Sequence, residues 1–236
     1  MFKTPALVLL PNKLSDNYPW QAHLPAQLKE VVDSLKGLFV ENEKSARRFL
    51  REFISHERLQ AFELVRIDEH SSKTEMQEAM DRIQADERWG VLSEAGLTCL
   101  ADPGSYLVYL AHQKKIFVEC YPGPSAIVMA LQLSGFYSQT FCFRGYLPRE
   151  EPLLKNHLHK LEKSVSEGAQ LWIEAPYRTD KLIQIALNTF HPDTLFCVIY
   201  DIGYPDYQII NKPVKLWSKQ IVIGKKPAVF LIGKPD

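Results

Sequence analysis

Two short stretches rich in glycine and proline, each set between an apolar run and a segment of helical spacing, constrain this chain more than any other feature. The first runs Ser93-Glu94-Ala95-Gly96-Leu97-Thr98-Cys99-Leu100-Ala101-Asp102-Pro103-Gly104 and the second Tyr121-Pro122-Gly123-Pro124-Ser125-Ala126. The apolar runs Trp89–Leu92 and Ile116–Cys120 precede them, and helical spacing follows over Tyr106–His112 and Ile127–Leu133. That is strand, tight loop, helix, twice over. In an open α/β sheet such loops lie at the carboxyl ends of the strands, where ligands bind. Glycine lets backbone amides approach a ligand and proline sets the loop shape. Ordinary turn chemistry accounts for either stretch alone; two of them, with an acid beside the first, point to a ligand.

The rest of the first half repeats the alternation. Strands are predicted at Ala6–Leu10, Leu38–Val40, Phe62–Ile67 and Trp89–Ser93, and helices at Leu24–Leu35, Ser45–Ile54 and Thr74–Ile83. Strands alternating with helices imply an α/β sheet with parallel pairs. The second half changes character. Helices near 125–134, 152–165 and 179–189 accompany strands at Phe141–Phe143, Gln170–Glu174, Leu195–Tyr200, Tyr207–Ile210, Val214–Trp217 and Val229–Ile232. So strand-rich a tail implies a mixed sheet with antiparallel strands. The predicted class is α/β with two α/β domains, residues 1–120 and residues 121–236, the boundary falling where the second loop begins.

Hydrophobic residues make up 46% of the 236, enough for real cores. Lys plus Arg and Asp plus Glu each number 28, so no global charge argues for nucleic acid, although a local basic patch stays open. Cys99, Cys120, Cys142 and Cys197 form no Cys-x-x-Cys pair and have no histidine at zinc-ligand spacing. Widely spaced thiols, the lack of a membrane-spanning run and the lack of a leader-like apolar segment give a cytoplasmic expectation.

The loop after Ala6–Leu10 contains no glycine, which argues against the common dinucleotide-type cofactor turn, and no phosphate-binding P-loop occurs. Glu94 ends a strand and is suited to hold an amino or hydroxyl group of a ligand, or to cap nearby amides. Asp102-Pro103-Gly104 has the pattern of a helix start, with Asp102 as the cap. Ser125-Ala126 opens a helix whose amides suit a polar ligand group. Lys44, Arg47, Arg48 and Arg51 share one helix face, either solvated or phosphate-binding. The seven histidines make no metal or Ser-His-Asp pattern, and His70, near Asp68 and Glu69, is assigned no catalytic role. No catalytic residue and no metal ligand is assigned.

Ser93-Glu94-Ala95-Gly96, Ala101-Asp102-Pro103-Gly104, Pro122-Gly123-Pro124-Ser125-Ala126, Phe143-Arg144-Gly145-Tyr146-Leu147-Pro148 and Glu174-Ala175-Pro176-Tyr177-Arg178, in that order, resemble the tetrapyrrole methylase superfamily of S-adenosylmethionine (SAM) dependent methyltransferases. Within it they are most similar to the ribosomal RNA small subunit methyltransferase I branch, which reads Ser-Asp-Ala-Gly-Thr-Pro, Ser-Asp-Pro-Gly and Pro-Gly-Pro-Ser-Ala. Glu41-Asn42 with Arg47-Arg48 is similar to that branch's Glu-Asp-Thr-Arg segment. The resemblance implies two α/β domains with SAM in the cleft between them. It implies cofactor contacts at Leu14, Ser93, Glu94, Leu97, Ser125, Ala126, Glu174 and Ile202. It also implies a homodimer and ribosomal RNA or the small ribosomal subunit as substrate, methylated on a ribose 2′-hydroxyl. Glu94 stands where the branch has Asp, and Leu97-Thr98 where it has Thr-Pro. Those departures, with the glycine-free first loop, keep a SAM-binding but non-catalytic paralogue as an alternative; a small-molecule methylase is a third reading, which the missing Gly-x-Gly-Pro-Gly-Asp first loop lowers.

Overall fold

A computed structural model describes residues 2–235. The chain forms two compact units, the first ending at Ser125 and the second beginning at Ala126. The sequence places the boundary before Tyr121. In the structure Tyr121 packs into the first core with Leu10 and Leu92, so the second glycine-proline loop stays with the first unit.

The first unit runs β1 (Ala6–Leu10), α1 (Leu28–Asp33), β2 (Gly37–Val40), α2 (Glu43–Leu50), α3 (His56–Gln60), β3 (Glu63–Arg66), α4 (Lys73–Met80), β4 (Arg88–Leu92), α5 (Ser105–Gln113) and β5 (Phe117–Cys120). Its strands form one sheet in the order β3-β2-β4-β1-β5, every pair parallel. Parallel strands need crossovers, and right-handed crossovers put helices on a face set by the direction of travel. From β1 to β2 to β3 the chain moves one way, and α1, α2 and α3 cover one face with Leu28, Val31, Phe49, Leu50 and Leu59. From β3 to β4 to β5 it moves the other way, and α4 and α5 cover the opposite face with Met76, Met80, Leu107 and Leu110. Covered on both faces, β1, β2 and β4 are buried almost throughout.

Local signals set most helix ends. The Asn42 side chain accepts from Lys44 N and Ser45 N, and Ser72 with Glu75 makes a capping box. The helix expected over 45–54 stops at Leu50. A separate short helix, α3, then starts behind Ser55, whose hydroxyl accepts from Arg58 N. The helix expected over 24–35 begins only at Leu28; before it lie a 3₁₀ turn at Trp20–Ala22 and a turn closed by Leu28 N on the Pro25 carbonyl.

The second unit runs α6 (Ala126–Ser134), β6 (Phe141–Tyr146), α7 (Glu151–Lys163), β7 (Ala169–Glu174), α8 (Thr179–Leu187), β8 (Leu195–Tyr200), β9 (Gln208–Pro213) and β10 (Ala228–Ile232). The sheet order is β6-β7-β10-β8-β9, with β6 parallel to β7 and the other pairs antiparallel. This is the mixed sheet that the strand-rich tail predicts. Its core stacks Trp172 against Phe196 at 6.2 Å and Phe230 at 5.9 Å between ring centroids. The strand expected at Val214–Trp217 is instead a 3₁₀ turn, Val214–Leu216. Val214 N and Lys215 N bond the carbonyls of Thr194 and Pro192, so the backbone folds onto the loop before β8 rather than along a sheet edge. Val214 and Trp217 both turn inward, at the i, i+3 spacing of such a turn. Among the described residues no helix is long and apolar enough to cross a membrane.

Candidate functional site

In the first unit β4 and β1 lie side by side, and the chain leaves them in opposite directions, toward α5 on one face and α1 on the other. Loops that part this way open a crevice at the carboxyl end of the sheet, the place where open α/β sheets bind ligands. The residues around it are the glycine-free loop after β1, Glu41 after β2, the long loop after β4 and the proline-rich loop after β5.

These loops are laced together. Asn12 is buried; its Nδ2 donates to the carbonyls of Ser93 and Glu94, both at 3.0 Å, while its backbone N–H donates to Gly96 O at 2.8 Å. The Thr98 hydroxyl donates to Leu10 O and accepts from Ser93 N at 3.2 Å. Gly96 has φ +72°, and a Cβ there would stand 3.2 Å from Leu14 Cδ2 and 3.3 Å from Pro124 O. At Gly123 a Cβ would meet Pro11 Cβ at 2.2 Å. The glycines of the second and third loops are therefore what let the first loop close against them. A pocket of about 190 Å³ sits among them, lined in part by Leu10, Pro11, Leu97, Cys99 and Tyr121.

Beside that pocket is a group of acids. Val40 pairs with Leu92, so Glu41 and Ser93 leave adjacent strands level with each other. Asp102 does not cap α5, contrary to its local pattern. The helix starts at Ser105, behind Gly104, with no side-chain cap. Cys99 and Ala101 hold φ values of 66° and 68°. The loop curls through them and brings the Asp102 carboxylate to the Ser93 hydroxyl. Burial, and then the nearby Asp102 charge, push Glu41 up to about 7, while the Ser93 hydroxyl partly offsets this. Burial likewise raises Asp102 above the usual carboxylate range. Burial and the same acids hold the Cys99 thiol up at about 12, so it stays protonated. Glu41 Oε1 is buried with no hydrogen-bond partner among the described residues.

A carboxyl whose folded value lies above its unfolded one gains stability from the neutral form, and that gain is lost as pH rises past the unfolded value toward the folded one. Glu41→Gln removes the titration and keeps the shape. Its melting temperature should match the wild type near pH 4.5 and exceed it at pH 8. Melts at the two pH values check this; an equal difference at both would mean that Glu41 does not titrate in this range.

The loop residues anticipated from the sequence lie around this crevice, with different exposure. Ser93 and Ser125 are buried, Leu14 and Leu97 half-buried, and Glu94 exposed, while the half-buried Ala126 opens the second unit. Glu174 and Ile202 belong to the second unit, at or just beyond the ends of two strands that flank β10: β7 ends at Glu174 and β8 at Tyr200, both opposite Ala228. Glu174 Oε1 accepts from Ala175 N at 2.8 Å, and Oε2 lies 3.3 Å from Arg178 Nη2. Asn12, Glu41 and Asp102 are site residues that motif reasoning did not assign. Of the basic face on α2, Arg47 pairs with Glu43 at 3.7 Å and Arg48 with Asp16 at 3.0 Å. The His70 side chain is 82% exposed on the turn after β3. Among the described residues no group of three or more His, Cys, Asp or Glu side chains is placed to hold a metal ion.

No protein-family model matches the chain. Curated relatives do. Ribosomal RNA small subunit methyltransferase I of Vibrio cholerae is 28% identical over 159 residues, which is 67% of this chain and 53% of that protein. The enzyme of the same name from Thermotoga maritima is 35% identical over 116 residues, 49% of this chain and 50% of that protein. The chain thus spans about half the length of the curated relatives it matches. Among solved structures, uroporphyrin-III-C-methyltransferase from Thermus thermophilus aligns over 97% of this chain and 94% of its own, with TM-score 0.55 at 15% identity. Diphthine synthase aligns over 97% and 90%, with TM-score 0.62 at 13% identity. At such identities the solved structures show the fold.

Proposed function

We propose that the chain belongs to the tetrapyrrole methylase superfamily, on the branch of ribosomal RNA small subunit methyltransferase I that its curated relatives and its fold support, and that it is a SAM-dependent methyltransferase acting on a ribose 2′-hydroxyl of small-subunit ribosomal RNA. The observation that carries this reading is the laced crevice at the ends of β4 and β1, with an exposed carboxylate, Glu94, on the loop that the Asn12 amide holds. SAM carries a sulfonium and an ammonium, and carboxylates are the side chains that complement both. Gly96 and Gly123 let the loops after β1, β4 and β5 pack against one another around that crevice, where a Cβ would meet Leu14 and Pro124 or Pro11.

SAM supplies an activated methyl group when bound. The protein's part is then to orient that methyl in line with the hydroxyl and to exclude water, and orientation alone contributes on the order of 7–11 kcal/mol. In this reading Leu14, Ser93, Glu94, Leu97, Ser125 and Ala126 contact the cofactor. Glu174 and Ile202 are assigned to it on the family likeness alone. A homodimer rests on the same likeness, and a cytoplasmic location on the widely spaced thiols and the apolar patterning of the sequence.

Calorimetry tests the cofactor and mass spectrometry the acceptor. SAM should bind with micromolar affinity, about −8 kcal/mol. Small-subunit RNA incubated with protein and SAM should gain a 2′-O-methylated nucleoside. Binding without transfer to that RNA would favour a non-catalytic paralogue or a small-molecule methylase. No binding at millimolar SAM would sink the proposal.

A further inference from the structure

We propose that the segment joining β9 to β10, with Lys219 and Lys225 on its outer side and Tyr177 beside its far end, is the surface on which the second unit holds a single-stranded stretch of RNA. The inference rests on the reading that RNA is the substrate, and adds to it which face of this unit grips the strand.

The neutral total hides an uneven distribution of charge. Residues 126–236 carry 13 Lys and Arg against 10 Asp and Glu, while residues 1–125 carry 15 against 18. The excess comes from one stretch: between Asp206 and Asp236 the chain has six lysines and no acid. Two of the six are matched from outside the stretch, Lys215 by Asp193 and Lys226 by Asp201, each at 2.6 Å. Lys212 lies over the Trp217 ring, 5.6 Å from its centroid. Lys219 and Lys225 are exposed and form no ion pair among the described residues. The basic face of α2 is different, since Arg47 and Arg48 already have Glu43 and Asp16 beside them.

The segment is held firmly enough to present those lysines. Val214, Trp217, Ile221 and Ile223 pack into the second core. Helix α8 fastens the backbone: Gln184 Nε2 donates to Ile221 O at 3.1 Å, Asp180 Oδ1 accepts from Ile223 N at 2.8 Å and Gly224 N at 3.2 Å, and the Thr179 hydroxyl donates to Lys226 O at 3.1 Å. The segment therefore runs back along α8 toward its first turn, with Lys219, Val222 and Lys225 left on the outside. The Asp180 carboxylate is taken up by the segment's own amides. Directly ahead of α8, in the turn Pro176–Arg178, the Tyr177 side chain is 65% exposed. Unpaired ammonium groups suit phosphates, and an exposed ring offers a face on which any base can stack. Leu216 and Val222 are exposed as well, so an anionic lipid surface is the competing occupant. Tyr177 and the substrate reading favour RNA.

Anisotropy of a short labelled single-stranded RNA, titrated with the whole chain between about 50 and 200 mM salt, tests this. Lys219→Gln with Lys225→Gln should flatten the slope of log affinity against log salt by about 1.4, from about 0.7 for each phosphate contact on a single strand. Lys219→Arg with Lys225→Arg should keep the wild-type slope. Tyr177→Ala should weaken binding about fivefold or more at unchanged slope, because stacking releases no counterions. Both lysine pairs should keep the wild-type melting temperature and SAM affinity. An unchanged slope in the folded Gln pair, or an unchanged affinity in Tyr177→Ala, overturns the inference. So does loss of binding to anionic phospholipid vesicles in the Gln pair with its RNA slope intact, which would make this a lipid surface. In each of those cases methylation of small-subunit RNA by the wild type leaves the proposed function standing. A wild type that neither binds nor methylates RNA overturns that function, and this inference with it.

Discussion

Glu94→Lys is expected to weaken SAM binding by roughly 30-fold or more, the equivalent of about 2 kcal/mol, and to leave the melting temperature within about 2 °C of the wild type. The two halves of the expectation come from one fact. Glu94 is exposed at the end of β4, and its backbone carbonyl, not its carboxylate, accepts from Asn12. Reversing its charge costs the fold little, because exposed substitutions away from caps and networks are usually within about 0.5 kcal/mol of neutral. For a ligand with a cationic end the change replaces a charge-assisted bond with repulsion. Glu94→Gln should fall between the two, since it keeps a hydrogen-bond acceptor and loses the charge. Glu stands here where the related branch has Asp, so Glu94→Asp tests whether the longer side chain has moved the ligand: weaker binding would mean that the crevice is shaped around Glu. An unchanged affinity in folded Glu94→Lys would take this residue out of the site.

The parts of the site that follow from short-range chemistry are visible in the sequence, and the parts made by strand pairing are not. The two strand-loop-helix units around Ser93–Gly104 and Tyr121–Ala126 are legible because glycine, proline and an acid fall between an apolar run and a helical one, all within a few residues. Asp102 shows the limit of such local reading. Asp-Pro-Gly is a sound helix-start pattern, yet positive φ at Cys99 and Ala101 turns the carboxylate toward Ser93 instead. Positive φ at residues other than glycine is uncommon and nothing in the local pattern announces it. Glu41 reads as the approach to a helix, and Asn42 does cap α2. What gives Glu41 its chemistry is that β2 lies beside β4, a pairing between strands some fifty residues apart. Asn12 is hardest of all to see: a single amide in a loop without glycine, with partners 81 and 82 residues away. The glycine-free first loop argues against a dinucleotide-type turn, but it gives no hint that a side-chain amide does the closing. In the second unit Val214–Trp217 has the composition of a strand, and only the bonds of Val214 N and Lys215 N to Thr194 and Pro192 carbonyls decide otherwise.

Because one side chain fastens the first loop to the second, Asn12→Ala should be the most damaging single change in the site. The amide nitrogen satisfies the Ser93 and Glu94 carbonyls, and the amide oxygen accepts from Lys13 N at 2.8 Å. Alanine leaves all three groups without that partner. A buried polar group deprived of its partner costs about 1–3 kcal/mol. The Ser93 carbonyl bond is buried and the other two are partly so, which allows water to compensate in part. A loss of about 2–4 kcal/mol follows for the first unit. Asn12→Asp is the sharper variant, since it keeps the size and the acceptor but sets a carboxylate against two carbonyl oxygens, and it should lose at least as much. Urea unfolding separates the units by fluorescence, with Trp20 and Trp89 reporting on the first and Trp172 and Trp217 on the second. Only the first transition should move in both variants, and SAM binding should fall even where that unit is still folded, because Ser93 and Glu94 are no longer held. A shift smaller than about 0.5 kcal/mol, the range of ordinary surface changes, would mean that the Thr98 and Gly96 bonds hold the loops without Asn12.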